Sequence, residues 1–349
     1  MAVELASLAD LDRLGIDEII DVRSPSEYAE DHLPGAVNLP VLSDAERARV
    51  GTVYVQQDRF LARKLGAALV ARNAAAHLEG PLADRDGGWR PLVYCWRGGQ
   101  RSGSFASILS QIGWRVELLR GGYRSFRRLV VRALYDDPLP FRVVLVDGMT
   151  GTGKTEMLAH LAAAGAQVVD LEGLAAHRGS LFGAVAGGQP PQKLFESRLA
   201  MQLFRLDPAR PVFVEAESAK VGERILPPAL WAAMKRADHV RLEAPRPVRA
   251  AYLARAYADL TADRAALLAV LEKLAPYHGH AQVEAWQALA RAGAFAALAE
   301  ELIAAHYDPR YAKSARRRAP PRAVARLEQL EPEEFAQAAR RIRGAVEGD

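Results

Sequence analysis

Short runs of consecutive apolar residues alternate along the first two thirds of the chain with longer segments of helical periodicity. The runs lie at residues 19–22, 91–94, 141–146, 166–170 and 211–215. Runs of this length, rich in β-branched residues, are typical of strands buried in parallel sheets. Residues 58–78 and 102–112 repeat apolar side chains with the spacing of an amphipathic helix. The pattern therefore predicts an α/β architecture.

Residues 135–140 interrupt this pattern. They combine turn formers with Pro138 and Pro140, and proline can neither continue a helix nor pair inside a sheet. From about residue 245 the chain is rich in Ala, Leu, Glu and Arg with helical periodicity. We therefore predict an α/β domain over residues 1–136, a second α/β domain over 141–245, and a helical C-terminal region over 246–349 that packs with the second domain.

Composition and charge narrow the class of protein. The chain is 50% hydrophobic and 25% charged, which fits a folded globular protein and excludes disordered, collagen-like and coiled-coil classes. The single cysteine excludes an intramolecular disulfide and a multi-thiolate zinc site, and it indicates a reducing compartment. No secretory signal or membrane-length apolar run is present, so we expect a cytoplasmic protein without membrane association. A net charge of +4 neither requires nor forbids a nucleic-acid partner.

The single cysteine, Cys95, opens a loop directly after a predicted strand and before a predicted helix. The backbone N–H groups of such a loop and the following helix N-terminus stabilise a negative charge. Glycines allow the backbone to curl tightly, and arginines in the loop add positive charge. The combined field of the N–H groups, the helix N-terminus and the arginines lowers the pKa of the thiol. We therefore predict Cys95 as a catalytic nucleophile, the alternative being a buried structural cysteine. The predicted anion-binding residues of the loop are Arg97, Gly98, Gly99, Arg101 and Ser102.

Two motifs before this loop, at residues 21–28 and 32–40, resemble the paired motifs of the rhodanese family. The first reads DVRSPSEY and the second HLPGAVNLP, and the cysteine loop follows at a fitting distance. The resemblance implies that the first domain is rhodanese-like and that Cys95 carries a persulfide or its selenium analogue. It also implies that Asp21 and Arg23 support the loop from a neighbouring strand.

The spacing within the cysteine loop differs from that of many single-domain rhodaneses. Arg101 follows Cys95 by six positions rather than five. This longer spacing is shared with cysteine-dependent phosphatases, whose loop holds a phosphate-sized anion, so a phosphorus-containing donor fits. Tyr94 stands where those phosphatases usually place a histidine, which weakens a phosphatase interpretation.

Residues 148–155 match the phosphate-binding pattern G-x-x-x-x-G-K-[ST] in full, between a predicted strand and a helix. This predicts a P-loop NTPase-like α/β domain. In such a loop the backbone amides hold phosphate oxygens, the lysine reaches the terminal phosphates, and the hydroxyl binds Mg²⁺. The predicted phosphate-binding residues are Gly148, Gly151, Gly153, Lys154 and Thr155, with a possible Mg²⁺ bound through Thr155.

Acidic residues at the ends of two strands are candidates for the metal-binding acid of the P-loop site. Glu215 ends one strand and Glu217 follows it, while Asp170 and Glu172 follow another. Aspartate is the usual residue at this position, so a glutamate leaves the metal assignment open. The alternative for Glu215 is a solvated acid at a strand end.

A rhodanese-like domain followed by a P-loop domain resembles the tRNA 2-selenouridine synthase family over nearly the whole chain. The motifs that carry the resemblance lie at residues 94–102, 121–123, 148–155, 177–183 and 214–218, with Gly222. The resemblance implies a transferase that modifies wobble uridines of tRNA in two steps. The sulfur of 2-thiouridine is first geranylated from geranyl diphosphate, and selenium from selenophosphate then displaces the S-geranyl group.

This implied chemistry suits both predicted loops. A diphosphate ester needs a phosphate cradle and usually Mg²⁺, whereas selenium transfer needs a soft nucleophile such as Cys95. The geranyl chain also needs an apolar groove beside the P-loop. We expect this groove in the helical C-terminal third or near a substrate segment that comprises His177, Arg178, Gly179 and Ser180.

Two arginine clusters are candidates for contact with the phosphate backbone of tRNA. They comprise Arg124, Arg127 and Arg128 in the first domain, and Arg316, Arg317 and Arg318 near the C-terminus. The alternative is that such arginines form solvated faces or pair with acids. His278 and His280 lack a third nearby ligand, so we expect surface histidines without a metal.

Two other functions remain open from the sequence. The first is a rhodanese-type sulfurtransferase or a Cys-x5-Arg phosphatase fused to a small-molecule kinase. The second is a nucleotide-gated RNA-binding module in which Cys95 senses oxidants. The first would act on small phosphorylated metabolites, and the second would leave tRNA chemically unchanged.

Overall fold

The computed structural model describes residues 2–315 and 319–348, and it confirms the predicted α/β class. The chain forms two compact units. The first comprises the chain through Asp137 together with Pro190–Arg205, and the second comprises Pro138–Gln189 and the chain from Leu206 onward. Residues 190–205 thus differ from the sequence prediction, which placed them in the second domain. They form a separate helix whose apolar side chains, including Phe195 and Leu199, are buried.

The sheet of the first unit has five parallel strands in the order β1-β5-β4-β2-β3. The strands are β1 (Ala2–Val3), β2 (Glu18–Asp21), β3 (Ala36–Asn38), β4 (Pro91–Tyr94) and β5 (Glu117–Leu119). In the register of β2 and β4, Ile20 lies opposite Val93 and Asp21 lies opposite Tyr94. The ends of these two strands meet at the edge of the sheet from which Cys95 emerges.

Helices, numbered along the whole chain, surround this sheet. Those of the first unit are α1 (Ala9–Arg13), α2 (Pro25–Glu30), α3 (Asp44–Gln56), α4 (Arg59–Glu79), α5 (Gln100–Ile112), α6 (Gly122–Val131) and α9 (Gln192–Phe204), with a π-helical turn at Arg132–Asp136. Local signals set several helix starts. Ser43 and Glu46 form a capping box at α3, and the Asp58 carboxylate caps α4 by accepting a hydrogen bond from the N–H of Leu61.

The second unit contains another parallel sheet, in the order β12-β11-β6-β8-β7. The strands of the second unit are β6 (Val143–Gly148), β7 (Gln167–Val169), β8 (Val212–Glu215), β11 (Asp238–Glu243) and β12 (Ala323–Arg326), and a short hairpin consists of β9 (Lys220–Val221) and β10 (Arg224–Ile225). The central strand β6 is buried along its whole length. Its continuous apolar run reflects a strand that is covered on both faces.

The helices of the second unit fall into two groups. The first group lies around the sheet and comprises α7 (Lys154–Ala163), α8 (Leu171–Ala175), α10 (Pro228–Arg236), α11 (Arg246–Ala256) and α18 (Pro332–Glu347). The second group comprises α12 (Ala258–Ala262), α13 (Arg264–Glu272), α14 (Ala275–His278), α15 (His280–Arg291), α16 (Phe295–Leu302), a π-helical turn at Ile303–Tyr307, and α17 (Asp308–Ala315). Leu267, Leu271, Trp286 and Leu298 belong to a separate apolar core within the second group. None of the helices in the described part of the chain is long and apolar enough to span a bilayer.

The C-terminal third is helical as predicted, except for β12. This strand pairs with β11 in parallel, and Ala325 lies opposite Leu242. Its pattern of small, apolar and basic residues next to an arginine-rich segment does not stand out as a strand in the sequence. His278 also differs from the sequence prediction, because its Nε2 lies 2.9 Å from Nδ1 of His306 in a partly buried hydrogen bond.

Candidate active sites: a cysteine loop and a phosphate loop

The cysteine loop connects β4 to α5. At Gly98 the backbone has φ +65°, and a Cβ there would lie 2.6 Å from the backbone oxygen of Leu119. Glycine is therefore required at this position. The buried Sγ of Cys95 accepts a hydrogen bond from the N–H of Gly99 at 3.3 Å and one from the hydroxyl of Ser102 at 3.2 Å. The loop thus encloses its own sulfur in hydrogen-bond donors.

These donors lower the pKa of the Cys95 thiol. Burial raises the pKa of Cys95, but hydrogen bonds from the Ser102 hydroxyl and from the N–H groups of Ser102, Gly99 and Arg97 outweigh burial and leave the pKa below its ordinary value. A lowered pKa increases the thiolate fraction, and the thiolate is the nucleophilic form. The geometry therefore equips Cys95 for nucleophilic chemistry.

The sequence predicts that loop N–H groups, the helix N-terminus and the charges of Arg97 and Arg101 together lower the pKa of Cys95, and the structure corrects the part assigned to the arginine charges. Arg101 Nη1 donates to Glu27 Oε2 at 2.7 Å, and Arg47 Nε lies 3.1 Å from the same carboxylate. The charge of Arg101 is therefore balanced inside the unit, and Arg97 is exposed. Hydrogen bonds, rather than arginine charges, are the main cause of the lowered pKa of Cys95.

A second glycine segment packs against the back of the cysteine loop. Gly122 has φ +57°, and a Cβ there would lie 2.2 Å from the backbone oxygen of Cys95. That oxygen accepts a hydrogen bond from the N–H of Tyr123 at 2.8 Å. The hydroxyl of Tyr123 in turn donates to Asp31 Oδ2 at 2.7 Å. The motif at residues 121–123 therefore holds the strand end that carries Cys95.

Asp21 and Arg23 form a buried ion pair beside this strand end. Arg23 Nη2 donates to Asp21 Oδ2 at 2.6 Å, and the hydroxyl of Tyr94 donates to the same oxygen at 2.8 Å. The Arg23 guanidinium also lies 4.2 Å from the ring centre of Tyr123. Asp21 and Arg23 contact the residues on either side of the loop rather than the sulfur, so their role is to position it.

A cavity adjoins the cysteine loop within the first unit. Its lining includes Arg23, Arg47, Arg101 and Lys193 together with Glu27, Glu30, Asp31, Trp96 and Tyr123. Trp96 is 38% exposed, and its ring centre lies 5.1 Å from that of Tyr123. The cavity therefore combines basic groups with an aromatic wall next to the residue that follows Cys95.

The phosphate loop connects β6 to α7 with the geometry that its motif predicts. Gly151 and Gly153 have φ +86° and +73°. A Cβ at Gly151 would lie 3.0 Å from the backbone oxygen of Arg249, and one at Gly153 would lie 2.4 Å from the ring of Phe335. Both glycines are required for this close packing, which presents the loop and the N-terminus of α7 to a large cavity.

The cavity brings Lys154 and Thr155 together with three acids that the sequence analysis considered, Asp170, Glu172 and Glu217. Thr155 Oγ1 donates to Glu172 Oε2 at 2.8 Å. Burial and the charge of Glu217 raise the pKa of Glu172 to about 7, although Thr155 and Lys154 oppose the shift. A carboxylate with this pKa exchanges a proton near neutral pH.

Glu215 does not occupy the position expected of a metal-binding acid. Its side chain is fully buried, and Oε2 accepts a hydrogen bond from the N–H of Leu171 at 3.1 Å. Burial, together with the charge and hydrogen bond of Asp170, raises the pKa of Glu215 well above its ordinary value. The buried Glu215 carboxyl does not line the phosphate cavity, whereas Glu172 and Glu217 do, so these two are the better candidates.

The residues around Thr155 fit Mg²⁺ only in combination with a phosphate ligand. Among the described residues, no group of three His, Cys, Asp or Glu side chains could hold a metal. Mg²⁺ is usually bound through one or two carboxylates and substrate phosphates. Thr155 with Glu172 or Glu217 supplies that partial set of oxygen ligands.

The predicted substrate segment forms a turn at the phosphate cavity, where Arg178, Gly179 and Ser180 contribute to the lining. His177 holds the turn, because its Nδ1 accepts a hydrogen bond from the N–H of Gly179 at 3.1 Å. Arg178 Nη2 lies 2.9 Å from Asp259 Oδ2, which balances its charge. The segment therefore closes one side of the cavity.

An apolar cavity continues from the phosphate cavity. Five residues line both cavities, namely Thr150, Ser180, Leu253, Tyr257 and Tyr307. The apolar part is further lined by Phe182, Leu260, Leu267, Phe295, Leu298 and Leu302. These side chains come largely from α12, α13 and α16, in the region where the sequence analysis expected an apolar groove.

The structure separates the arginines of the first predicted tRNA-binding cluster. Arg124 and Arg128 are exposed on α6. Arg127 instead is 17% exposed, forms an ion pair with Glu196 and donates to the backbone oxygen of Lys193 at 3.2 Å. Arg127 is therefore engaged inside the first unit and is removed from the candidates. Arg316, Arg317 and Arg318 lie outside the described residues.

One residue of the phosphate site escaped the sequence analysis. The buried guanidinium of Arg249 donates to the backbone oxygen of Thr150 at 3.1 Å and forms two hydrogen bonds of 2.9 Å with the carboxylate of Asp308. Arg249 thus supports the phosphate loop from α11. No local motif surrounds it, so only the folded structure reveals its role.

Family models match both halves of the chain. Residues 3–129 match the rhodanese-like domain, and residues 141–341 match the model described as the tRNA 2-selenouridine synthase AAA domain. The second match covers more than half of the chain. This chain belongs to the tRNA 2-selenouridine synthase family. The resemblance drawn from the sequence motifs is thereby confirmed, and the chain is a member of an enzyme family of the transferase class.

Curated relatives named tRNA 2-selenouridine synthase agree with this assignment. The protein of Aeromonas salmonicida is 38% identical over 73% of this chain and 69% of its own length. Those of Nitrosomonas europaea and Pseudomonas syringae are 36% and 39% identical, over 66% and 64% of this chain and 61% of each relative. Among solved structures, a rhodanese-related protein from Thermoplasma volcanium is 18% identical over 36% of this chain and 88% of its own, with a TM-score of 0.23.

Proposed function

We propose that this chain is a tRNA 2-selenouridine synthase that converts 2-thiouridine at the wobble position to 2-selenouridine through an S-geranyl intermediate, in the cytoplasm where tRNA is found. The observation that carries the proposal is the apolar cavity that continues from the phosphate cavity. A ligand with a diphosphate head and a hydrocarbon chain matches both parts. A small polar metabolite, as a kinase function would require, would not fill the apolar cavity.

In the first step the sulfur of 2-thiouridine attacks C1 of geranyl diphosphate. The C–S bond forms as the C1–O bond breaks, diphosphate leaves, and the base loses its N3 proton. The N–H groups of the phosphate loop and Lys154 stabilise the negative charge that develops on the leaving diphosphate. A bound Mg²⁺, held by Thr155 with Glu172 or Glu217, would neutralise part of that charge.

In the second step selenium replaces the S-geranyl group. Selenophosphate, water and the S-geranyl base give the selenouridine, geranylthiol and inorganic phosphate, so the P–Se bond and the bond from C2 to sulfur are broken. We assign the selenium-transfer step to Cys95. Its sulfur accepts hydrogen bonds from donors of a strand–loop–helix segment, and its pKa is lowered. The cavity beside the loop offers an aromatic wall to the base and basic side chains, partly paired with Glu27 and Glu30, to the phosphorylated donor.

The experiment that tests the proposal is the reaction of the purified chain with tRNA that contains 2-thiouridine, followed by mass spectrometry of the nucleosides. We expect S-geranyl-2-thiouridine with geranyl diphosphate, and 2-selenouridine once selenophosphate is added. Sulfur transfer from thiosulfate, or phosphorylation of a small molecule, with unchanged tRNA would overturn the proposal in favour of the fused sulfurtransferase and kinase. Unchanged tRNA with nucleotide-dependent RNA retention would favour the RNA-binding module.

A matched pair of variants on α16 tests the placement of the geranyl chain. Ala299 lines the apolar cavity, whereas Ala297 is exposed on the same helix. We expect Ala299→Phe to reduce geranyl transfer by roughly tenfold or more, because the new ring occupies space needed by the chain. Binding of inorganic diphosphate should remain, and Ala297→Phe should keep geranyl transfer. Equal geranyl transfer by both variants would place the chain elsewhere.

A further inference from the structure

The hairpin formed by α3 and α4 (residues 44–79) is a cation-rich surface of the first unit, most of which lies outside both predicted sites. It contains the cations Arg47, Arg49, Arg59, Arg63, Lys64 and Arg72 and the acids Asp44, Glu46, Asp58 and Glu79. All six cationic residues are exposed. Within the described residues, only Arg47 of this group forms an ion pair with a carboxylate, that of Glu27. The hairpin therefore has a net charge of +2, six cations minus four acids, and most of its cations lack a carboxylate partner within the described residues.

Three of the four acids of the hairpin are held by local hydrogen bonds. The Asp44 carboxylate accepts from the hydroxyl of Ser26, and the Glu46 carboxylate accepts from the amide of Asn73 at 2.9 Å. Asp58 caps α4. These three acids are thus used to start a helix or to fix the hairpin, Glu79 is exposed at the end of α4, and the arginines and the lysine face solvent.

The tip of the same hairpin also exposes large apolar side chains. Val55 is 82% exposed and Phe60 is 73% exposed. The ring of Tyr54, which is 47% exposed, lies 5.5 Å below the guanidinium of Arg59. Single exposed apolar residues are common, but aromatic rings interleaved with unpaired cations form the combination that stacks bases and neutralises phosphates.

The hairpin is joined to the cysteine site within the first unit. Arg47, on α3, lines the cavity beside the cysteine loop and shares Glu27 with Arg101 of that loop. Helix α4 packs against α5, the helix that begins at the end of the loop. The start of α3 and the part of α4 that packs against α5 are therefore joined to the cysteine site.

We propose that the α3–α4 hairpin is an RNA-binding surface, on which Arg59, Arg63 and Lys64 contact tRNA phosphates and Phe60 stacks on an unpaired base. The inference rests on the proposed tRNA substrate and names the surface that receives it. Arg59 and Arg63 are one helical turn apart, as are Phe60 and Lys64, so each pair shares a face of α4.

Titration of labelled, unmodified tRNA at several salt concentrations tests this surface. We expect the variant R59E/R63E/K64E to bind tRNA roughly tenfold or more weakly, with a shallower dependence of log K on log salt, since fewer counterions are released. Phe60→Ala should weaken binding by roughly fivefold with an unchanged salt slope, because it removes stacking and no charge. Melting curves should match that of the wild type, as these side chains are exposed.

The matched control carries the same charge change elsewhere. In R264E/K273E/R291E, three exposed cations of the second unit are reversed, and we expect less than a threefold loss of tRNA affinity. Equal tRNA binding by the wild type and by R59E/R63E/K64E would overturn the inference and leave the proposed function intact. The same conclusion would follow if the substitutions changed only the binding of a protein partner. A wild type that binds no tRNA would instead overturn the proposed function and this inference together.

Discussion

The cysteine loop and the phosphate loop are both strand–loop–helix segments whose glycines bring backbone N–H groups together, yet their surroundings differ. Around Cys95 the charges are already balanced, since Arg101 pairs with Glu27 and Arg23 pairs with Asp21. The donors of that loop point at the chain's own sulfur. Around Lys154 the donors face a large cavity, and the Lys154 ammonium donates to the Gly148 oxygen at the long distance of 3.5 Å.

This difference indicates two uses of one local fold. The cysteine loop stabilises a negative charge that belongs to the protein, and its hydrogen bonds are complete before any ligand binds. The phosphate loop presents donors that are completed by a ligand, and the pKa of the nearby Glu172 is raised until a bound cation lowers it. The first site is thus prepared for covalent chemistry and the second for binding a polyanion. Four substitutions probe this contrast.

The largest expected effect is that of Gly122→Ala at the cysteine loop. The new methyl group would lie 2.2 Å from the backbone oxygen of Cys95, and neither backbone segment can yield cheaply. We expect the free energy of unfolding of the first unit to fall by about 4 kcal/mol. Gly35→Ala is the control, because Gly35 has φ +85° with nothing within 4 Å of an added Cβ, so only backbone strain of about 1 kcal/mol is expected. Similar urea unfolding curves for both variants would contradict the tight packing described here.

At the phosphate loop, Arg249→Met should cost about 3 kcal/mol, because it leaves the carboxylate of Asp308 without its partner. It also removes the donor to the Thr150 oxygen, so diphosphate binding should weaken. Arg246, half exposed and 4.0 Å from the same carboxylate, provides the control. Arg246→Met should cost less than about 1 kcal/mol. Thermal unfolding with calorimetric diphosphate titration measures both effects, and equal losses would argue against support of the loop by Arg249.

A smaller effect is expected for Ser102→Ala, which removes one donor from the sulfur. Because the hydrogen bond favours the thiolate, its loss should raise the pKa of Cys95, so the midpoint of iodoacetamide alkylation moves to higher pH. The alkylation rate near neutral pH should fall roughly severalfold. Ser107→Ala, on the solvent side of the same helix, should leave the profile unchanged. A shift to lower pH in Ser102→Ala would show that another group controls the thiol.

The smallest effect concerns the pH dependence of diphosphate binding without Mg²⁺. Glu172, with a pKa of about 7, is neutral below that pH and repels an anion above it, so binding by the wild type should weaken by about threefold as pH rises through 7. Glu172→Gln should remove this weakening with rising pH, whereas Glu223→Gln, at an 86% exposed position, should retain it. Isothermal titration with inorganic diphosphate checks the result. The same pH dependence in all three proteins would place the titrating group elsewhere.

Much of the architecture was predictable from the sequence because buried parallel strands are continuous apolar runs. The predicted runs at 91–94 and 141–146 correspond to β4 and β6, and the helix predicted at 58–78 is α4 (Arg59–Glu79). The strands β11 and β12 were missed, since their polar and basic residues break the run. Residues 190–205 were misplaced because order along the chain does not determine the unit in which a helix packs.

The two loops were also predictable, since both rely on local motifs with glycine at fixed positions. The electrostatics of the two loops were not predictable from the sequence. Glu27 is far from Arg101 in sequence, so its ion pair with that residue depends on the fold. The sequence places Glu215 as an acid at a strand end, yet the packing of Leu171 and Asp170 around it buries the carboxyl and raises its pKa. Long-range partners decide the charge of a site, and they leave no local signal.

The most direct test of the central claim is nucleoside mass spectrometry of tRNA treated with the Cys95→Ala and Lys154→Ala variants, geranyl diphosphate and selenophosphate. If the two units carry separate steps, Cys95→Ala accumulates S-geranyl-2-thiouridine without 2-selenouridine. Lys154→Ala leaves 2-thiouridine unmodified, yet it converts supplied S-geranyl tRNA to the selenouridine form. Full selenation by Cys95→Ala, or geranylation by Lys154→Ala at the wild-type rate, would contradict this division of tasks.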